Sequence, residues 1–159
     1  MSGGGHKFGV TNKDLDRLGD ALSGTIHYGH IMRTIYATDA SSYRMPPLAV
    51  ALPESHEDVG RLVRFASEKR VPLTPRAAGT SLSGQPIGRG IVVDVGRHMN
   101  QVLYVNKTEK WARIEPGLIR NELNEYLEPY GLFFGPETST QNRAMLGGMM
   151  GNNSCGANS

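Results

Sequence analysis

Residues 48–85 read LAVALPESHEDVGRLVRFASEKRVPLTPRAAGTSLSGQ, and this stretch decides the fold. Leu48 to Leu52 is a short apolar run stopped by Pro53, which has no N–H to give to a sheet. Ser55 then stands where an N-cap belongs, with Asp58 three residues on and Val59, Leu62, Val63 and Ala66 spaced as one helical stripe. Residues 71–75, VPLTP, are a second short strand. Strand, helix and strand in that order predict a βαβ unit with parallel strands. The unit feeds into residues 75–86, PRAAGTSLSGQP, where seven of twelve residues are Ala, Gly, Ser or Thr and only Leu82 is large and apolar. Short side chains let backbone N–H groups converge on a ligand, and glycine reaches positive φ where an anion-binding nest needs it. A loop of this composition after a strand points to a phosphate cradle, with Arg76 adding charge at its edge. The alternative is a tight surface turn.

Two familiar phosphate loops do not fit. Gly79 and Gly84 have the G-x-x-x-x-G spacing of a Walker A loop, but Gln85 and Pro86 stand in place of the Lys and the Ser/Thr that serve phosphate and magnesium. Gly88-x-Gly90 runs into a strand and lacks the third glycine of the dinucleotide fingerprint. What remains is another phosphate-bearing ligand, held by backbone and small side chains.

Upstream, Thr11 and Asp14 are placed as a capping pair, with Leu15, Leu18 and Leu22 on one face of a short helix. Residues 23–47 hold no strong period and read as irregular, and Met1 to Gly5 reads as a flexible start. Downstream, IVVDV (91–95), QVLYV (101–105) and WARIEP (111–116) follow at hairpin-like spacing and predict a mainly antiparallel sheet. IRNELNEYLEPYG (119–131) reads as a helix burying Ile119, Leu123, Tyr126 and Leu127 and ending near Pro129 and Gly131. The class is α+β, a small parallel βαβ layer plus a mainly antiparallel one.

A second specialised segment is GPETSTQNRAMLGGMMGNNSCG, residues 135–156. Gly147, Gly148, Gly151 and Gly156 allow close approach of a flat or extended ligand, while Ser139, Asn152, Asn153 and Ser154 both donate and accept. The alternative is a glycine-rich connection packed under the sheet. Two such segments suggest one large ligand between two layers, and an amphiphilic dinucleotide suits. The last fifteen residues, MLGGMMGNNSCGANS, show no following helix or strand to anchor them. The expectation is a fragment of a longer protein, with a tail from Met145 that is mobile or held only by lattice or partner contacts.

Composition bounds these readings. A chain of 159 residues, 38% hydrophobic and 20% charged, is one ordinary globular domain, able to bury ~70% of its unfolded surface. Its net charge of +2 is interspersed, without the basic stripe that nucleic acid needs. The longest apolar run, Leu48–Leu52, is too short for a membrane span, and residues 1–12 lack the apolar core of a secretory signal. Cys155 is the sole cysteine, which suits a reduced, cytoplasmic setting. His27 and His30 have H-x-x-H spacing without a third ligand nearby. Cys155 reads as a small buried thiol, Trp111 as a strand residue packing on the sheet, and Arg61, Arg64, Lys69 and Arg70 as a solvated face. Asn106-Lys107-Thr108 matches a glycosylation sequon without a signal peptide to give it meaning.

The order YATDASSYRMPP…RAAGTSLSGQ (36–85), GIVVDVGRHMNQV (90–102), ARIEPG (112–117) and GPETSTQNRAMLGGMMGNNSCGANS (135–159) resembles the FAD-binding domain of the p-cresol methylhydroxylase/vanillyl-alcohol oxidase superfamily. The YATDAS opening and the MMGNNSCGANS ending look most like FAD-linked oxidases of the glycolate oxidase subunit and D-lactate dehydrogenase type, in particular the large iron–sulfur-fused members. The resemblance spans residues 33–159 as the N-terminal part of an FAD-binding domain, leaving 1–32 as an extension with a short helix. It implies two α+β subdomains with FAD between them, followed by a cap domain outside this chain.

By that resemblance Arg76, Ala77, Ala78, Gly79, Thr80, Ser81, Gly84 and Gln85 wrap the pyrophosphate. Pro136, Glu137, Thr138, Ser139, Gly147, Gly148, Asn152, Asn153 and Ser154 pass along the flavin and ribityl portions. The family loop favours RGGGTS, so Ala77 and Ala78 replace two glycines while keeping the loop small. Members that attach FAD covalently near this loop use a histidine where Thr80 stands, so the resemblance implies non-covalent FAD. It implies an oxidoreductase taking a hydride from a D-2-hydroxy acid such as lactate, glycolate or 2-hydroxyglutarate. Catalytic residues, the electron acceptor and any 4Fe-4S cluster fall outside the chain, which alone is expected to turn nothing over. The location implied is cytoplasmic, or peripheral to a membrane through the parent protein. Two alternatives stay open: a nucleotide-binding module without redox chemistry, and another reaction of the superfamily, such as alcohol or alditol oxidation or the flavin reductase step of cell-wall synthesis.

Overall fold

Thr11 accepts the Asp14 N–H at 3.2 Å while the Asp14 carboxylate accepts the Thr11 N–H at 2.9 Å, so the capping box forms and starts α1 (Asn12–Ala21). The computed structural model describes residues 8–156; the expectations for Met1–Gly5 and for the last three residues of the ending lie outside them. The chain divides into two units, the first holding Arg76 and all before it plus Ser81–Asp94, the second Ala77–Thr80 and everything from Val95.

In the first unit α1 buries Leu15 and Leu18, and is followed by β1 (Thr25–His27), α2 (His30–Ile35), β2 (Ala49–Leu52), α3 (His56–Lys69), β3 (Leu73–Arg76) and β4 (Ile91–Asp94). The sheet order is β1-β2-β4-β3, with β1 antiparallel and the other three parallel. The predicted βαβ unit is present, but its strands are not neighbours, because β4 lies between them. This corrects the placing of IVVDV in an antiparallel hairpin. Ile91, Val92 and Val93 are all buried, and an unbroken apolar run buried on both faces is the mark of a central parallel strand. The region 23–47 is likewise not all irregular, since it holds β1 and α2, elements of three and six residues too short to show a period. Pro75 is tolerated within β3 because β3 is an edge of the sheet.

Ser55 caps α3 as expected, but the buried stripe is Asp58, Leu62 and Ala66, while Val63 is 52% exposed. The fully buried Asp58 carboxylate accepts N–H bonds from Ser23 and Gly24 at 2.9 Å and Glu54 at 3.1 Å, and pairs with Arg61 at 3.1 Å. Burial pushes its pKa up; the three N–H donors and the guanidinium outweigh that and leave it below the usual carboxylate value. The basic face is therefore not wholly solvated. Arg61 serves Asp58, and Lys69 reaches Asp14 at 2.8 Å and, with Thr11, holds that carboxyl well below its ordinary range.

Gly90 sits where β4 starts, and a Cβ there would lie 1.9 Å from the Pro72 carbonyl oxygen, which accepts the Ile91 N–H at 2.9 Å. Gly90→Ala must therefore push β3 and β4 apart. We expect a loss of about 3 kcal/mol in denaturant unfolding of the full-length protein, the range of backbone strain combined with a disturbed core.

In the second unit β5 (Val102–Asn106) and β6 (Trp111–Ile114) pair as an antiparallel hairpin with an irregularity between Val102 and Tyr104. α4 (Arg120–Leu127) runs into a 3-10 turn, Glu128–Tyr130, and ends at Gly131 in the left-handed region. Leu118, Leu123 and Leu127 form the core with Ala144, Leu146 and Met149. Two readings are corrected. Tyr126 is 47% exposed, because the inward stripe is Arg120, Leu123 and Leu127. Among the described residues the tail from Met145 is anchored by α5: Leu146–Gly151 is helical, with Leu146 and Met149 buried and the Leu146 N–H donating to Leu118 O at 2.9 Å. Trp111 is 42% exposed and lies against Tyr104 across the hairpin, with ring centroids 5.2 Å apart.

Candidate cofactor-binding site

Arg76 is the last residue of β3, opposite Asp94 of β4. Its Nη1 donates to the Thr38 carbonyl at 2.8 Å and its guanidinium lies 5.2 Å from the centre of the Tyr36 ring, whose hydroxyl donates to Asp94 at 2.5 Å. The YATDAS segment thus fixes the arginine at the start of the loop. Later in the same loop Ser81 donates to the Gln85 side chain at 2.8 Å and accepts the Ser83 N–H at 3.1 Å. Gly84, at φ +73°, has the Tyr43 ring where a Cβ would point, 2.9 Å away.

Between these, Ala77–Thr80 belong to the second unit. Gly79 takes φ +69°, the left-handed conformation expected of a nest. Among the described residues, none accepts a hydrogen bond from the N–H of Ala78, Gly79 or Thr80. Gly148 of α5 is brought to Ala77, since a Cβ on it would sit 3.2 Å from the Ala77 Cβ. Gly147 is demanded by Pro116, whose Cβ would lie 2.6 Å from an added Cβ, and Gly156 by the Glu137 backbone at 2.7 Å. Those two glycines serve close packing of the chain on itself. Asn152, Asn153 and Ser154 close α5, with Asn153 at φ +48° and the Ser154 N–H donating to Met149 O at 2.8 Å.

Pro136 and Glu137 lie in an irregular stretch that leads into a turn over residues 138–141, where the Gln141 N–H returns to Thr138 O at 3.1 Å. The Thr138 hydroxyl is buried without a partner among the described residues, an unusual condition for a polar atom. Sequence reasoning missed Arg120, which is buried and donates to the Phe134 and Pro136 carbonyls of the stretch before this turn. Its signal is a lone charge at i of an i, i+3, i+7 stripe completed by Leu123 and Leu127. Tyr36 and Asp94 were missed as partners of Arg76. Cys155 is exposed, which corrects the buried-thiol reading. His27 contacts Thr25 Oγ1 at 3.0 Å, and among the described residues no three His, Cys, Asp or Glu side chains gather as a metal site.

Each unit thus offers features of a module for a phosphate-bearing ligand: a strand-end arginine in the first, and in the second a left-handed glycine among bare N–H groups and a buried, partnerless hydroxyl. Residues 47–159 match the family described as FAD binding domain, and the chain belongs to that family. It is 45% identical over 130 residues to D-2-hydroxyglutarate dehydrogenase of Escherichia coli (strain K12), covering 80% of this chain and 13% of that protein. It is 35% identical over 127 residues to glycolate oxidase subunit GlcD of Bacillus subtilis (strain 168), covering 78% of this chain and 27% of that one. Among solved structures, alkyldihydroxyacetonephosphate synthase superposes with a TM-score of 0.79 at 26% identity, over 92% of this chain and 33% of that chain. The chain therefore spans a small part of its relatives' length. The α+β class and the family resemblance read from the sequence both hold, and FAD is the cofactor. The residues present fit it, since the Ala78–Thr80 N–H groups suit phosphate oxygens and the Thr138 hydroxyl has hydrogen-bonding capacity to spare. Among the described residues no helix is long and apolar enough to cross a membrane.

Proposed function

We propose that this chain is the FAD-holding part of an enzyme that oxidises a D-2-hydroxy acid, with 2-hydroxyglutarate the first candidate and lactate and glycolate the next. The observation that carries the reading is the Ala77–Ser81 loop, with Gly79 at φ +69° and the N–H groups of Ala78, Gly79 and Thr80 without acceptors among the described residues. The relatives named D-2-hydroxyglutarate dehydrogenase and glycolate oxidase subunit support the substrate class. Bound FAD supplies a hydride acceptor for the substrate α-carbon; the protein supplies binding, orientation and electrostatics. Arg76 and the residues from Ala77 to Ser81, with Gly84 and Gln85, hold the pyrophosphate. Pro136–Ser139, Gly148 and Asn152–Ser154 line the flavin and ribityl portions, with Gly147 letting α5 pack on Pro116 beside them. Residues 33–159 are the N-terminal part of the FAD-binding domain, and 1–32 an extension to it. Catalytic acid–base groups, the path of electrons onward and any 4Fe-4S cluster belong to the parent protein outside this chain. The single exposed thiol, Cys155, fits a reducing, cytoplasmic setting.

The test is anaerobic reduction of the full-length parent. Purified protein should be yellow, and D-2-hydroxyglutarate should bleach the flavin band, faster than D-lactate or glycolate. A colourless protein that takes up no FAD would overturn the cofactor assignment. A yellow protein bleached by alditols and by none of the three acids would overturn the substrate class. The attachment is checked separately. Thr80 offers no nucleophile of the histidine type, and Arg76 to Gln85 contain no histidine. Acid precipitation should therefore release all flavin fluorescence into the supernatant, and fluorescence retained in the pellet would show a covalent link.

A further inference from the structure

Arg120 begins α4 with its side chain 8% exposed as a residue, and uses all three guanidinium nitrogens on one short stretch of chain. Nε donates to the Pro136 carbonyl at 3.3 Å, and Nη2 to the Phe134 carbonyl and the Glu137 carboxylate, both at 3.4 Å. Nη1 donates to the Gln141 side chain at 3.0 Å and to that of its neighbour Asn121 at 3.2 Å. The Arg120 backbone N–H donates to Ala144 O at 2.9 Å. One residue thus ties down the chain on both sides of Thr138, whose hydroxyl is buried and without a partner.

We propose that Arg120 is a positioning residue for the flavin: it holds the 134–141 segment in the one shape that presents the Thr138 hydroxyl to the cofactor. The inference rests on the assignment of Pro136–Ser139 to the flavin made above. Geometry explains the choice of arginine. The acceptors are five, two backbone carbonyls and three side chains, and a fork of five donors meets them where the point charge of lysine cannot. A packing role alone would need no such fork. Glu137 is 43% exposed at its side chain, so this contact is not the chief restraint; the carbonyl and amide bonds are.

The experiment uses the full-length parent and three variants: Arg120→Lys, Gln141→Ala and Thr138→Val. FAD affinity of the stripped apoprotein, the midpoint potential of the bound flavin and the apoprotein melting temperature are measured for each. Arg120→Lys should raise the Kd for FAD at least tenfold and shift the potential, with a melting temperature close to the parent's. Thr138→Val should raise the Kd about tenfold, one lost hydrogen bond's worth. If Arg120→Lys lowers only the melting temperature while Thr138→Val weakens FAD, the positioning role is overturned and the assignment of the turn stands. If Thr138→Val leaves affinity and potential unchanged, the assignment itself fails and the proposal with it. Should Arg120→Lys not fold, Gln141→Ala carries the test through an exposed side chain. A threefold or larger rise in Kd there supports the proposal, and no change in Kd or potential overturns it.

Discussion

Replacing Gly79 by valine is expected to strip FAD from the parent protein while leaving its fold standing. Gly79 holds φ +69°, a region where a β-branched residue is a steric outlier, costing ~1–2 kcal/mol or more. The loop has two responses. It can keep its shape under strain, with an isopropyl group beside the converging N–H groups, or it can relax and turn those groups away. Either way one or two charge-assisted hydrogen bonds to phosphate are lost, at ~1.5–3 kcal/mol each, which is a tenfold to several-hundred-fold or greater loss of affinity. The fold should survive because the residues from Ala77 to Thr80 are only half-buried. Arg76→Ala should lose less FAD and more stability, since that guanidinium also ties Thr38 and Tyr36 to the end of β3. Flavin-to-protein ratio and melting temperature on purified full-length variants separate the two effects. Normal FAD content in Gly79→Val would remove the loop from the site. An unfolded apoprotein would call for Gly79→Ala, where any loss of FAD from a folded protein carries the same meaning.

What could be read from the residues divides along physical lines. α3 was legible because a cap, a period and a length all agreed, and the loop after β3 was legible because composition alone limits what can fill it. β4 was misplaced because spacing along the chain says nothing of which strand it will join; its apolar run on both faces was the better signal. β1 and α2 carry too few residues for a period, and they form against an edge and a surface that exist only once β2 is in place. In the site, small residues were legible by type, but their separate jobs were not. Gly79 is needed for its φ, whereas Gly147 is needed because Pro116 lies against it. Arg120 and the Tyr36–Asp94 pair act through contacts distant in sequence, and only the oddity of a charge in an apolar stripe pointed to the first.

Asp58→Ala should be the most destabilising single change in the first unit. The carboxylate is fully buried and gathers N–H groups from Ser23, Gly24 and Glu54, joining the end of α1, the start of β1 and the entry to α3. Removing it leaves the buried Gly24 N–H and the part-buried Ser23 and Glu54 N–H groups without their acceptor and breaks the Arg61 pair, for a loss of about 4 kcal/mol. In a protein of this size class that lowers the melting temperature by roughly 8–16 °C. Asp58→Asn keeps one oxygen but turns an NH2 group toward an N–H donor, so its loss should be about half as large. The pH dependence separates charge from shape. The folded carboxyl is held below its unfolded value, because the N–H donors and Arg61 outweigh the cost of burial. Its stabilising contribution is therefore complete above the unfolded pKa of ~4 and is lost as pH falls through the folded value. The gap in unfolding free energy between the parent and Asp58→Asn should stay constant from about pH 5 to pH 8 and narrow below about pH 4. A gap that instead widened in acid, or an Asp58→Ala protein as stable as the parent, would mean that this carboxylate is not the joint holding α1, β1 and α3 together.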